Sequence, residues 1–370
     1  MVYNADLPSS KELNIDNLSR VFKDTTNSYK YIYFLSLLDI LRRRSFDVSL
    51  AVSFRELTIE MLANAWFPHT YFKLSFGLRD QITKKLDSLQ LHITDAVLKF
   101  TDTDKQQLRE TIGGQKLNDS LMRYVPTRFI RPFSNHEISG VAEAKVKARV
   151  TDWASQHYDT GDVPYKIEEQ AITIHQKWAD YFQENYVIVR GWIAWEWLNY
   201  MQRCNPNVPA IANKLFPPQE RASLKKQKQY WKVVLENAPV YCLFSGKPIT
   251  EKLPPLDHYL PWSFVAHDQL WNLIPILASV NSVKSSNLPD SSYHQNFISL
   301  QHLSLVTTRK YLMEEKWNQY TESYLLDLKI TNRDDILDIE ILNNAYKPLL
   351  ASLTTLAKGQ GFASGWVYRF

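Results

Sequence analysis

Cysteine is nearly absent from this chain: of 370 residues, only Cys204 and Cys242 carry a thiol. Two isolated thiols build neither a disulfide framework nor a four-cysteine zinc site. That excludes the small stapled secreted folds and fits a reducing compartment. Glycine is scarce as well, with 10 residues against 11 Trp, 20 Tyr and 17 Phe. Tight turns are therefore few, and a helix-rich body packed on aromatic rings is expected. No Gly-x4-Gly-Lys-Ser/Thr phosphate loop occurs, so the chain has no evident motor and any ATP-driven step belongs to a separate subunit. The longest apolar run, YIYFLSLLDIL, is short and broken by Asp39, so no membrane span is expected. The polar start MVYNADLPSSKELN lacks a signal-peptide core, which makes a soluble cytoplasmic protein the expectation. Neither a zinc finger nor a helix-turn-helix signature is evident, and there is no internal repeat or low-complexity tract. The net charge of +4 is mild, so any surface for a polyanion must be local.

What the chain does have is periodicity. Hydrophobic residues make up 45% of it, and 370 residues suffice for two or three domains with sizeable cores. Helical spacing predicts YKYIYFLSLLDILRRR, opened by Asn27-Ser28, then FRELTIEMLANAW, stopped at Phe67-Pro68. KLSFGLRDQITKKLDSL resumes with a break at Gly77, and His69 reads as a packed turn residue. The two prolines of LMRYVPTRFIRPFSNHE, residues 121–137, suggest an extended edge or irregular segment. The polar stretch 138–163, with its turn YDTGDVP, reads as a boundary or mobile linker. A long helical run follows over KIEEQAITIHQKWADYFQENYVIVRGWIAWEWLNYMQRCNP, in which Trp192, Trp195 and Trp197 read as core packing, with a base-stacking platform as the alternative. PPQERASLKKQKQYWKVVLENAP is another helix. VYCLF, SGK and PIT suggest a hairpin ahead of the strand LDHYL. Helices resume after Pro289, and ILDIEILNNAYKPLLASLTTLAKG closes the chain as a helical pair.

One run stands apart, DHYLPWSFVAHDQLWNLIPILASVNSVKSSNLP at residues 257–289. Asp257-His258 ends an apolar strand. Asn272 comes fourteen residues after His258, Asn281 nine after that, and Lys284 one helical turn further. With the Pro-x-Ser after the histidine and the terminal Asn-Leu-Pro, this constellation resembles the HNH (ββα-metal) endonuclease family in its His-Asn-Asn form. Within the family it is similar to the HNH domain of RNA-guided CRISPR nucleases. The resemblance covers about a tenth of the chain. It implies a phosphodiesterase acting on DNA with Mg2+, for which Mn2+ substitutes. His258 is then the general base, because a neutral imidazole is suited to take a water proton near pH 7. Asp257, its strand neighbour, points to the opposite face, so a metal reached round the strand end is its expected partner. Asn281, on the first turn of the following helix, is the second oxygen ligand, a donor set that suits Mg2+ and its waters. The resemblance assigns Asn272 the task of bracing the loop that presents the histidine. Lys284 is a candidate phosphate contact, beside the plainer reading of a solvated charge. Many family members also bind a structural zinc through two Cys-x-x-Cys knuckles. Here Cys242-Leu-Phe-Ser245 has serine in the second place, so no structural zinc is expected and packing must hold the module.

The expected fold is predominantly α with a small α+β ββα-metal module. The expected parts are an N-terminal helical domain 1–137, a linker and helical region 138–235, the nuclease module 236–290 and a C-terminal helical region 291–370. Lys225, Lys228 and Lys232 share a helix face leading into the module and are expected either to contact the DNA backbone or merely to be solvated. Arg128 and Arg131, with Arg123, lie among Tyr and Phe in a pattern that suits either gripping nucleic acid or core packing. Arg42, Arg43 and Arg44 oppose a helix dipole or contact phosphate. Functionally the resemblance points to a restriction or anti-phage defence nuclease. Its partners would be DNA, a separate ATPase or sensor subunit, or a second copy, since one HNH site cuts one strand. Two other readings stay open. One is a homing or mobile-element endonuclease, for which no DNA-reading module is evident. The other is a DNA-binding scaffolding subunit with an inactive nuclease site, against which the intact Asp257, His258 and Asn281 speak.

Overall fold

The computed structural model describes residues 7–91, 102–217 and 223–369. The expected polar start at residues 1–6, residues 92–101 of the N-terminal helical region and residues 218–222 ahead of the lysine-rich helix lie outside them. The fold is predominantly helical with two small sheets among the described residues. Among the described residues no helix is long and apolar enough to cross a membrane. The chain divides into two compact units, Met1–Pro206 with Leu215–Gln219 and Asn207–Lys214 with Glu220–Phe370.

The first unit is built on the helix Tyr29–Arg43, in which every residue from Tyr31 to Leu38 is buried. A helix apolar all round is a central one. Its expected cap Ser28 instead directs its hydroxyl to the buried Asp80. Phe54–Trp66 follows, capped by Ser53, which accepts from the Glu56 amide at 3.1 Å. The α-helix ends where expected, at Phe67-Pro68. The proline cannot continue the ladder, so the backbone widens into a π-helical turn, Phe67–Tyr71, closed by Phe72 N–H to Phe67 O at 2.9 Å. The next helix begins only at Gln81, where Asp80 accepts from the Ile82 amide.

Three expectations are corrected here. Residues 121–137 are helical turns, not an extended edge. Pro126 and Pro132 occupy first turns, where a missing N–H costs nothing. The 138–163 stretch carries the helix Glu143–Gln156, with Val146, Val150 and Ala154 buried. The run KIEEQAITI is not helical: β2 (Tyr165–Ile167) and β3 (Ala171–Ile174) form an antiparallel sheet with β1 (Val52–Ser53) in the order β1-β3-β2. Ile172 sits opposite both Val52 and Ile167. Residues 171–174 alternate half-buried and buried, the period-two pattern of a strand. Beyond it, Asn185 separates Gln176–Glu184 from Tyr186–Cys204. Trp192 and Trp197 are buried, while Trp195 is 53% exposed.

In the second unit the helix Lys225–Asn237 buries Tyr230, Trp231 and Val234. The expected hairpin is a turn with a single bridge, Tyr241 to Pro248, cornered by Gly246 at φ +68°. That left-handed corner is where glycine is needed. β4 (Leu256–His258) and β5 (Leu273–Pro275) pair antiparallel, with Asp257 opposite Ile274 and His258 opposite Leu273. The short helix Ala278–Lys284 completes the ββα element. Around it pack His294–Tyr311, Glu314–Leu328 and Ile339–Gly359. The last is one helix and not the expected pair, since Pro348 lies inside it without ending it. One apolar core runs through module and helices. Tyr259 stacks on Phe297 with ring centroids 4.0 Å apart, and Phe244 meets Tyr293 and Trp366 edge-on. Tyr346 donates to the Trp271 carbonyl at 2.9 Å, and buried Gln301 donates to the Leu273 carbonyl at 3.0 Å while accepting from Tyr324.

Candidate active site

Period-two geometry sets up the site. Consecutive strand residues face opposite ways, so Asp257 and His258 at the end of β4 find different partners. His258 Nε2 meets Asp268 Oδ1 at 2.8 Å. Asp257 Oδ2 lies 2.9 Å from Lys284 Nζ. Both strand residues are mostly buried, at 9% and 8% exposed, so each polar contact is made in a medium where losing it is costly.

Asp268 was not anticipated from the sequence. It reaches His258 because the turn of helix Trp262–Val265 ends on Ala266, a left-handed residue at φ +53° that turns the chain back. Gln227, from the Lys225–Asn237 helix, donates to the Asp268 carbonyl at 3.0 Å and ties that helix to the same loop. The signal available in the sequence was the polar pair His267-Asp268 inside an apolar run. A carboxylate only accepts, so the 2.8 Å contact puts the imidazole proton on Nε2 and leaves the lone pair on Nδ1. The neighbouring His267 is held below its ordinary value, mainly by burial, against the pull of Asp327 and Asp268. Beyond Asp268 opens a polar cavity of about 230 Å³ lined by Lys226, Gln227, Asp268, Gln319, Tyr320 and Asp327 among others.

Asn272 is fully buried directly before β5. Its amide closes a two-way bridge to Leu260, accepting from the N–H at 2.8 Å and donating to the carbonyl at 2.9 Å. Its own carbonyl accepts from the Tyr259 N–H at 2.8 Å. The segment leaving His258 is thereby fixed at three points.

Lys284 is not the surface cation expected of it. It is fully buried, and its ammonium also donates to the His258 carbonyl at 2.7 Å. Helical spacing put it on the face of Asn281 but could not reveal that β4 covers that face. Asn281, three residues earlier, is half-buried on the same side. No other described group hydrogen-bonds its side chain.

The donors suit a hard cation. The Lys284 ammonium holds Asp257 Oδ2 as an ion pair at 2.9 Å, and the carboxylate's other oxygen accepts no hydrogen bond from a described group. The amide oxygen of Asn281 is uncommitted. One carboxylate and one amide with water completing the shell is a Mg2+-type set. It is not a site of many ligands: among the described residues no group of three or more His, Cys, Asp and Glu could hold a metal.

Lys225, Lys228 and Lys232 are exposed on the face of their helix away from the core, and Lys232 is loosely paired with Glu236 at 3.6 Å. Arg128 and Arg131 belong to the other unit, where Arg131 faces Glu143 at 3.5 Å and Arg128 lies over the Tyr124 ring. Arg43 and Arg44 are engaged by Glu60 and Glu56 at 2.7 and 2.6 Å. His69 bonds Asp87 at 2.8 Å. Cys204 and Cys242 are both free.

Neither a curated protein nor a solved structure matches the chain. A protein-family model does, over the turn at Cys242, both strands, the Ala278–Lys284 helix and the residues just after it: residues 242–290 match the family described as HNH endonuclease.

Proposed function

We propose that this chain is a Mg2+-dependent endonuclease that hydrolyses phosphodiester bonds in DNA. The observation that carries the reading is the imidazole of His258, clamped through Nε2 by Asp268 next to a carboxylate that has an oxygen free of hydrogen bonds. With Nε2 protonated, Nδ1 takes the proton of the attacking water as its oxygen forms the new bond to phosphorus. The bond from phosphorus to the 3′ oxygen breaks. Asp268 fixes the tautomer and stabilises the imidazolium as it forms. Asn272 holds the His258–Leu260 segment in place, which matters because a base displaced by about 1 Å loses much of its rate. Asp257 and Asn281 would hold the metal, and Lys284 keeps the Asp257 carboxylate aimed. When bound, Mg2+ supplies positive charge to the scissile phosphate and to the departing oxygen. The lysine face of the Lys225–Asn237 helix, tied through Gln227 to the catalytic loop, is the docking surface for the substrate backbone near this site. We assign the activity to restriction or anti-phage defence on the resemblance of the DHYLPWSF segment. Phage plating on cells with and without the intact gene checks that assignment.

A plasmid-nicking assay tests the chemistry. Cleavage should require Mg2+, and His258→Ala should lower the rate about 10²–10⁴-fold with DNA affinity unchanged. Full activity in chelator, or parent-like turnover by His258→Ala, removes this site from the reaction.

A further inference from the structure

Tyr124 lies between the turn Asp119–Arg123 and the helix Val125–Ile130 of the first unit. It is 45% exposed, whereas the neighbouring Phe129 and Phe133 are buried. Three cations converge on its ring: Arg123 at 5.1 Å, Arg128 at 5.3 Å and Lys147 at 5.7 Å from the centroid. Lys147 comes from the helix Glu143–Gln156, so two separate segments build the cluster. All three side chains are exposed.

None of the three is paired with a carboxylate among the described residues. Two acids of the same region are engaged elsewhere, Glu143 by Arg131 at 3.5 Å and Glu137 by Arg149 at 3.1 Å. The ring's negative faces hold the cations in place and partly offset their crowding. They leave the net charge unanswered. Three preorganised, uncompensated cations on an open surface complement a chain of phosphates far better than a single carboxylate.

We propose that Arg123, Arg128 and Lys147, organised by Tyr124, form a contact for the phosphate backbone of a nucleic-acid strand. The proposal rests on the nuclease reading for the identity of its partner. Arg131, occupied by Glu143, is not part of it. Recognition here is by charge and is indifferent to sequence. Tyr124 is a positioning residue that keeps three long side chains from dispersing.

The test uses the full chain carrying His258→Ala, in chelator, so that no cleavage is needed to read binding. A labelled DNA duplex is titrated at several salt concentrations. The triple variant Arg123→Gln, Arg128→Gln, Lys147→Gln should bind every sequence about tenfold or more weakly. The slope of log affinity against log salt should become shallower by about 0.9 per lost phosphate contact. Lys147→Gln alone, an exposed change on another helix that leaves the fold intact, should remove about one such unit. Tyr124→Leu should weaken binding while changing the slope less than the triple variant. Parent-like affinity and slope in both charge variants overturn the proposal, whether or not the parent cleaves DNA. A parent that binds the duplex but never cuts it with Mg2+ overturns the nuclease reading and leaves this contact standing.

Discussion

Replacing Asp268 by asparagine tests how His258 is held, because the new side chain has nearly the same shape and the wrong hydrogen-bonding polarity. In the parent the carboxylate accepts from Nε2–H at 2.8 Å. A hydrogen bond to a charged group is worth about 1.5–3 kcal/mol. If all of it is realised as the imidazolium forms, simple deletion in Asp268→Ala costs about 10–150-fold in rate. Asp268→Asn should cost more, because an amide can donate to Nε2 and pull the imidazole proton onto Nδ1, the atom that must receive the water proton. The equivalent change in serine-protease triads costs about 10⁴, so about 10²–10⁴ is expected here. The order is the diagnostic: asparagine worse than alanine. Single-turnover cleavage at saturating Mg2+ and DNA reads the rates. ¹⁵N resonances of the His258 ring read the tautomer directly. If Asp268→Asn proves milder than Asp268→Ala, the residue fills space and does not set the tautomer.

The remaining predictions bear on the metal, the brace, the docking helix and an unused lysine. Asp257→Ala and Asn281→Ala should each raise the Mg2+ concentration at half-maximal cleavage, with Mn2+ accepted in place of Mg2+; an unchanged requirement in both sinks the ligand assignment. Asn272→Ala strands the buried N–H and carbonyl of Leu260, at a cost of about 2–6 kcal/mol read by urea unfolding. Replacing Lys225, Lys228 and Lys232 with glutamine should weaken DNA binding and its salt dependence without slowing turnover at saturating DNA. Lys214, fully buried, has no hydrogen-bond partner for its ammonium among the described residues, and burial lowers it from 10.5 to about 7. Its folded value lies below its unfolded one, so stability is greatest above pH 10.5 and falls as pH drops toward about 7, levelling below. Lys214→Met should flatten that dependence and stabilise the protein by about 1–4 kcal/mol at neutral pH; a variant that melts earlier refutes the account.

What the sequence revealed and what it hid follow from how local each determinant is. Helix Phe54–Trp66 was legible to its ends because its apolar period and the Phe67-Pro68 that follows it lie in one short stretch. Strands β2 and β3 were not legible, because AITIHQKW continues smoothly into a helical pattern. What makes residues 171–174 a strand is pairing on both sides, with Tyr165–Ile167 just before it and with Val52-Ser53, more than a hundred residues earlier. The same contrast runs through the site. Asp257, His258, Asn272 and Asn281 lie within one short run whose spacing could be recognised without knowing the fold. Lys284 was placed on the correct helix face, yet periodicity names a face without saying what lies against it. Here that is Asp257 and the His258 carbonyl. Asp268 was hidden for the opposite reason. No period links it to His258, only a turn through left-handed Ala266, which an alanine does not announce. The dipeptide still held half of the answer. If adjacent strand residues must face opposite ways and both are charged or polar at a buried strand end, each needs a partner from a different element. The Asp-His pair therefore demanded two further residues before either was visible, and the chain supplies them as Lys284 and Asp268.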